Sequence, residues 1–132
     1  MQKVASLDAN CLLRFVLNDL PEQANAVGEA IKASNSLHIA DLALVEFVYV
    51  LEKQYLLART TVVSHLEFLM AIPKLNCNRT LFTGVLADYV SSPKVSFTDV
   101  CLAYYAALGN TQLLTFDKKL AKKLPQHTRL LV

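Results

Sequence analysis

The stretch VASLDANCLLRFVL, residues 4–17, joins two different hydrophobic patterns through a single acidic residue. Residues 4–7 form a short apolar run that stops at Asp8, which predicts a buried strand. Residues 11–17 have the apolar spacing of a short helix. The chain therefore opens with a strand followed by a helix.

The rest of the chain repeats this alternation. Further strands are predicted at residues 37–40, 74–77, 112–115 and 129–132, and helices at residues 22–33, 41–54, 60–72, 79–90, 97–108 and 118–123. Pro21 is placed to open the second helix, and Asp41 is a candidate N-cap of the third. Thr60 or Thr61 can cap the fourth. Strands separated by helices predict a three-layer α/β/α fold with a mostly parallel central sheet.

Length and composition favour a single folded domain over residues 1–132. Two cores would leave each half near the size at which a domain becomes marginal. Apolar residues make up 54% of the chain and charged residues 18%, which excludes a disordered protein. With only 3 glycines, far apart in the chain, no glycine-rich phosphate-binding loop can be drawn.

The first residues lack a long apolar segment, so we expect no secretory signal. The longest apolar stretch, residues 42–51, is too short to span a bilayer, and we expect no membrane association. The cysteines at positions 11, 77 and 101 have no CxxC spacing and are expected to be reduced in a cytoplasmic protein. The histidines have no zinc-binding spacing.

Four acidic residues stand in unusually apolar surroundings: Asp8, Glu46, Asp99 and Asp117. Glu46 interrupts the run LALVEFVYVL, and Asp99 opens the apolar helix FTDVCLAYYAAL. Carboxylates are rarely buried unless they are paired or bound to a cation, because an isolated buried charge costs several kcal/mol. A common partner would explain all four positions.

The predicted topology brings these acids toward one edge of the sheet. Asp8 and Asp117 follow predicted strands, and Asp99 lies in the first turn of a helix. The carboxyl ends of parallel strands meet in a crevice where ligands bind. Glu46 shares a helical stripe with Leu42, Tyr49 and Lys53, and we expect this stripe to face the sheet.

Carboxylates gathered in this way repel each other unless a cation holds them together. Oxygen-only ligands favour Mg²⁺ or Mn²⁺ over zinc or copper. Such ions keep open positions for a phosphate oxygen and a water molecule. The chemistry that fits is metal-assisted hydrolysis of a phosphodiester.

The charge balance is compatible with a polyanionic substrate. The net charge is +2, from 13 basic and 11 acidic residues. Setting aside the four candidate ligands leaves seven acidic residues against 13 basic ones, a balance of +6 for the remaining surface. The lysines that follow Asp117, namely Lys118, Lys119, Lys122 and Lys123, are candidates for holding a nucleic-acid backbone.

Each acid also has a purely structural interpretation. Asp8 can serve a turn or cap, Asp117 can cap the following helix, and Asp99 can favour a helix N-terminus through the dipole. A structural Glu46 would need a buried basic partner. Asp41 is best explained as a plain N-cap, and the lysines as a solvated helix face.

Four blocks in this order resemble the PIN-domain ribonucleases of the VapC type, which are the toxins of toxin–antitoxin pairs. The blocks are LDAN at residues 7–10, ALVEFVYVLEK at 43–53, SFTDVCLAYYAA at 96–107 and LLTFDKKLAKKL at 113–124. The resemblance implies RNA cleavage with Mg²⁺ or Mn²⁺, a homodimer and an antitoxin partner. It implies catalytic, metal-binding acids at Asp8, Glu46, Asp99 and Asp117, with support from Asn10, Thr98 and Thr115.

Other classes of protein fit the residues less well. A phosphorylation receiver domain needs an acidic pair after the first strand, and a haloacid-type phosphatase needs DxD, whereas this chain has Asp8-Ala9-Asn10. A non-catalytic PIN-like module that binds RNA or protein remains an alternative. A housekeeping RNA-processing nuclease remains another.

Overall fold

The computed structural model describes residues 4–132. The chain divides into two compact units, one ending at Asn78 and the other running from Arg79 to Val132. The elements in chain order are β1 Ala5–Ser6, α1 Ala9–Leu17, α2 Pro21–Ala33, β2 Leu37–His38, α3 Asp41–Lys53, α4 Arg59–Met70, β3 Leu75–Asn76, α5 Arg79–Ser91, α6 Phe97–Leu108, β4 Leu113–Thr115, α7 Lys118–Lys123 and β5 Thr128–Leu130. This alternation confirms the predicted α/β class.

The first unit contains a parallel sheet of three strands in the order β1-β2-β3. Ala5 lies opposite Leu37, which in turn lies opposite Leu75. Leu37 and Leu75 are buried, whereas Ala5 and Ser6 of β1 are exposed. The prediction of a buried first strand is therefore confirmed only for Leu7, which directly follows β1.

Local sequence signals define the ends of the first two helices. The Asp8 side chain caps the start of α1, and the helix ends at Asn18, whose φ of 52° places it in the left-handed region that asparagine tolerates. Pro21 is the first residue of α2, where its missing N–H costs nothing. The sequence predicted the Asp8 and Pro21 positions correctly.

The predicted caps of the next two helices are wrong. The N-cap of α3 is Ala40, and Asp41 is the first helical residue. Asn78 Nδ2 donates a hydrogen bond to Asp41 Oδ2 at 3.3 Å, so this carboxylate bonds to a neighbouring segment of the unit. Helix α4 begins at Arg59, which places Thr60 and Thr61 inside its first turn.

Helix α3 faces the core with a different stripe from the one predicted. Its buried residues lie about one turn apart: Leu44, Phe47, Val48 and Leu51. The stripe that was expected to face the sheet is exposed at all four positions: Leu42, Glu46, Tyr49 and Lys53. The helix itself carries apolar residues on nearly every side. The periodicity of its sequence alone therefore does not predict which face is buried. Burial of the other stripe leaves the Glu46 carboxylate in water, which avoids its desolvation cost.

The second unit contains a parallel pair of strands, with Leu113 of β4 opposite Thr128 of β5. All described strand pairs are parallel, as predicted, and they form two sheets of three and two strands. The core of this unit is aromatic. The Phe97 ring stacks on Phe82 with centroids 6.2 Å apart and meets the edge of Tyr89 at 5.2 Å.

Helices α5 and α6 approach closely at a glycine. A Cβ atom at Gly84 would lie 2.5 Å from Cε1 of Tyr104, so no larger residue fits there without a shift of the ring. The Tyr104 hydroxyl donates a hydrogen bond to the Asp88 carboxylate. Burial and this bond raise the pKa of Tyr104 to about 12, so the Tyr104 hydroxyl keeps its proton at neutral pH.

Candidate metal centre and nucleic-acid interface

Asp8 caps the N-terminus of α1 directly after the first strand. Its Oδ1 accepts a hydrogen bond from the backbone N–H of Cys11 at 2.8 Å. Because this bond favours the ionised carboxylate, the pKa of Asp8 lies below the ordinary carboxyl value. The residue is exposed. Asp8 therefore presents an oriented, ionised carboxylate to solvent at neutral pH.

The neighbours of Asp8 in α1 are polar but not nucleophilic. The Asn10 side chain is exposed one residue after the start of the helix. Partial burial raises the pKa of the Cys11 thiol, and the adjacent Asp8 carboxylate raises it further. A protonated thiol is a poor nucleophile and a poor metal ligand. None of the three cysteines forms a disulfide, and Cys101 is buried.

Asp117 occupies the equivalent position at the start of α7. Its Oδ1 accepts hydrogen bonds from the backbone N–H groups of Lys119 at 2.9 Å and Leu120 at 3.1 Å. Thr115, the last residue of β4, accepts a hydrogen bond at Oγ1 from the backbone N–H of Asp117 at 2.9 Å. Thr115 thus holds the turn that carries Asp117, which is half-buried.

Asp99 lies in the first turn of α6 and is half-buried. The N-cap of this helix is Ser96, whose hydroxyl accepts a hydrogen bond from the backbone N–H of Asp99 at 3.1 Å. Thr98, between them, is exposed. The helix dipole favours a carboxylate at this position. The spacing Ser-x-x-Asp is a capping signal that the sequence contained and that the prediction overlooked.

Glu46 differs from the other three acids because it lies in the middle of a helix. It is exposed, between the exposed side chains of Leu42, one turn earlier, and Tyr49, about one turn later. Its exposure removes the need for a buried basic partner, so the structural interpretation that required one does not apply. Glu46 has no capping or packing role that would account for an acid in this run.

In the part of the chain that the structure describes, none of the four acids is neutralised by a basic side chain. Within residues 4–132, Asp8, Glu46, Asp99 and Asp117 form no ion pair with a lysine, arginine or histidine. No three side chains of the types His, Cys, Asp and Glu form a group that could hold a metal ion in the same residues. The four carboxylates are therefore uncompensated, and their joint use by one ion remains a prediction.

A basic groove lies in the second unit beside α7. It has a volume of about 470 Å³ and is lined by Ser91, Ser92, Pro93, Lys94, Val95, Lys119, Lys122 and Lys123. Three of the four lysines predicted to hold a nucleic-acid backbone line it, namely Lys119, Lys122 and Lys123, whereas Lys118 is exposed outside it. Nothing local in the sequence connects Lys94 to this groove.

A second groove, in the first unit, follows the carboxyl ends of β2 and β3. Its volume is about 490 Å³, and its lining includes His38, Asp41, Asn76, Cys77 and Asn78. None of these residues was predicted as a site residue, and Asp41 was interpreted as a helix N-cap. The signal was available, because polar residues that follow buried strands collect at this edge of a parallel sheet.

Residues 5–123 match the family model of the PIN domain. The chain belongs to the PIN-domain family. The match spans all four acids and the four sequence blocks that suggested the resemblance, apart from Leu124 at the end of the last block. No curated protein matches the chain. The PIN-like α/β fold is of the nuclease type, and PIN domains are generally metal-dependent nucleases that bind RNA.

One further observation concerns membranes. Among residues 4–132, no helix combines the length and the apolar character needed to cross a lipid bilayer.

Proposed function

We propose that this PIN-domain protein is an endoribonuclease that hydrolyses RNA phosphodiester bonds with Mg²⁺ or Mn²⁺. The observation that supports this proposal is the state of Asp8, Glu46, Asp99 and Asp117. All four lie within the family match, and none has a basic partner in the part of the chain described by the structure. Four uncompensated carboxylates would supply oxygen ligands for a cation.

The chemistry of this donor set fits a hard divalent ion. The proposed ligands are carboxylate oxygens, and the lowered pKa of Asp8 keeps that group ionised at neutral pH. The adjacent thiol of Cys11 has a raised pKa and would not compete as a ligand. Oxygen-only ligation selects magnesium or manganese over softer metals.

The protein's own residues would orient the ligands and the substrate. Backbone N–H groups hold Oδ1 of Asp8 and Oδ1 of Asp117, so these carboxylates are oriented before an ion binds. Thr115 fixes the turn of Asp117. The family role proposed for Asn10 and Thr98 is the same kind of support beside Asp8 and Asp99. Bound to these acids, the ion would supply an activated water and offset charge on the phosphate.

Lysines would position the RNA. Lys119 and Lys122 line the basic groove and are proposed backbone contacts, as is Lys118 beside it. Their ammonium groups offset phosphate charge without reading sequence.

The biological role proposed from the family is that of a cytoplasmic toxin, acting as a homodimer and silenced by a cognate antitoxin. A small DNA-binding protein encoded immediately upstream would support this role. A housekeeping RNA-processing nuclease remains the alternative if no such partner exists. A non-catalytic binding module is disfavoured because all four acids and Asn10 are present.

The proposal predicts that Asp8→Asn and Asp99→Asn each abolish RNA cleavage and leave the fold intact. Asparagine is as good an N-cap as aspartate, so Asp8→Asn removes the charge while α1 keeps its cap. The measurement is cleavage of labelled RNA with Mg²⁺ or Mn²⁺, and with EDTA as a blank, alongside circular dichroism. Cleavage by either variant at the parent rate would show that the site is wrongly assigned.

A further inference from the structure

The basic groove of the second unit collects positive charge from two separate parts of the chain. Lys94 comes from the turn between α5 and α6, whereas Lys119, Lys122 and Lys123 come from α7. The three helical lysines are three and four residues apart, which places them on one face. Four ammonium groups thus line a groove of about 470 Å³.

These charges have no counter-charge in the structure. Lys94, Lys119, Lys122 and Lys123 form no ion pair within the described residues, and no acidic side chain lines the groove. The charge cluster is also placed on a defined turn. The backbone N–H of Val95 donates a hydrogen bond to the Ser92 carbonyl at 3.0 Å across this turn, and Val95 is 2% exposed. A fixed turn keeps Lys94 opposite α7 and makes the groove a stable binding surface for an anion.

The groove lies close along the chain to a proposed catalytic acid. Asp117 caps α7 by accepting a hydrogen bond from the backbone N–H of Lys119 at 2.9 Å, and Lys119 also lines the groove, although Asp117 does not. A polyanion held at Lys119 would therefore lie within about one helical turn of the residue Asp117. This proximity favours the nucleic-acid substrate over an acidic protein segment as the occupant.

We propose that Lys94, Lys119, Lys122 and Lys123 bind the phosphate backbone of single-stranded RNA next to Asp117. The inference rests on the proposed function in taking RNA as the polyanion. It goes beyond it by adding Lys94 to the substrate contacts and by giving Lys118 a smaller part than its groove-lining neighbours. The groove would increase affinity without selecting a sequence, because ammonium groups contact phosphates and not base edges.

The test is the salt dependence of RNA binding, measured by fluorescence anisotropy in EDTA so that nothing is cut. Each phosphate contact with a single strand contributes about 0.7 to the slope of log affinity against log salt concentration. Lys94→Gln should lower the slope by about 0.7 and Lys94→Gln combined with Lys122→Gln by about 1.4. The matched control Lys32→Gln removes the same charge from α2 and should leave the slope unchanged.

Three outcomes would overturn the proposal. One is an unchanged slope in Lys94→Gln, and another is a loss in Lys118→Gln equal to that in Lys122→Gln. The third is displacement of RNA by polyglutamate at equal charge concentration, which would indicate an acidic protein partner. Because Lys94 lies in a turn, its substitution tests the groove even if changes in α7 disturb that short helix.

The same assay separates this proposal from the nuclease assignment. Asp8→Asn that loses cleavage but keeps the parent salt slope supports both. A parent protein that binds RNA with the predicted lysine dependence but cuts none defeats the nuclease assignment and supports the groove. If the parent cuts RNA but Lys94→Gln leaves the salt slope of RNA binding unchanged, only the proposal for the groove is rejected.

Discussion

Two kinds of acidic position differ sharply in this molecule. Asp8 and Asp117 stand at helix N-termini, where backbone N–H groups at 2.8 and 2.9 Å hold their carboxylates. Glu46 stands in the middle of α3, exposed and without such a hydrogen bond. The capping acids have a structural reason to be there whether or not they bind a metal. Glu46 has no such bond among the described residues and, being exposed, needs no partner, so the only specific role assigned to it is the proposed one at the metal site.

The comparison shows which properties of a candidate site are local. A cap involves residues within three positions along the chain, so the orientation of Asp8 and Asp117 follows from their own turns. The direction in which Glu46 points depends on which face of α3 meets the core. That choice is made by Phe47 and its buried neighbours, not by the residues adjacent to the glutamate.

The largest effect is expected on the rate of RNA cleavage. Glu46→Gln should reduce RNA cleavage by at least about 100-fold, because it removes a charged ligand of the proposed ion. Its free energy of unfolding should stay within about 0.5 kcal/mol of the parent, as for other exposed changes. Cleavage rates with Mn²⁺ and urea denaturation measure the two quantities.

The control is Glu67→Gln, which removes an exposed carboxylate from the last turn of α4. It should leave both cleavage and stability unchanged. If Glu46→Gln cleaves RNA as fast as this control, Glu46 is an ordinary surface residue with no role in cleavage. The functional contrast between Glu46 and the capping acids would then be wrong.

A smaller effect is expected on stability at the capping acids. Asp8→Ala should lower the free energy of unfolding by about 1 kcal/mol, since the first turn of α1 loses its cap, while Asp8→Asn should cost only a few tenths. Glu46→Ala should be nearly neutral. Urea denaturation of the three variants at neutral pH compares a cap with an exposed mid-helix acid directly.

The pH dependence of stability tests whether the hydrogen bond from Cys11 favours the ionised Asp8 carboxylate. The pKa of Asp8 is lowered in the folded state by the Cys11 N–H, so its charge stabilises the fold above the ordinary carboxyl pKa of about 4. That contribution is lost as the pH falls through the lowered folded pKa. The stability advantage of Asp8 over Asp8→Asn should therefore disappear in acid. An advantage that grows in acid would show that the hydrogen bond does not favour the ionised form.

Much of the fold was predictable because its signals are short-range. The helix Phe97–Leu108 and the helix Lys118–Lys123 were predicted with their observed ends. The start of α2 at Pro21 follows from the fixed φ of proline. The cap of α3 was misplaced because Asp41 bonds to Asn78, a residue distant in the chain.

The candidate site was predictable only in part. The capping roles of Asp8 and Asp117 could be inferred from the residues next to them. The exposure of Glu46 could not, because α3 is apolar on nearly every side and its buried face is chosen by tertiary packing. The place of Lys94 in the basic groove was equally hidden, since it depends on how the turn after α5 meets α7.

The central claim is that acidic side chains far apart in the sequence serve one divalent ion. Titration calorimetry of Mn²⁺ into the parent, Asp8→Asn, Asp99→Asn and the double variant tests it most directly. The account predicts saturable binding by the parent, weakened by either substitution, with the double variant scarcely weaker than the singles because the two acids share one ion. Mn²⁺ affinity that is equal in all four proteins, or absent from the parent at millimolar concentration, would contradict it.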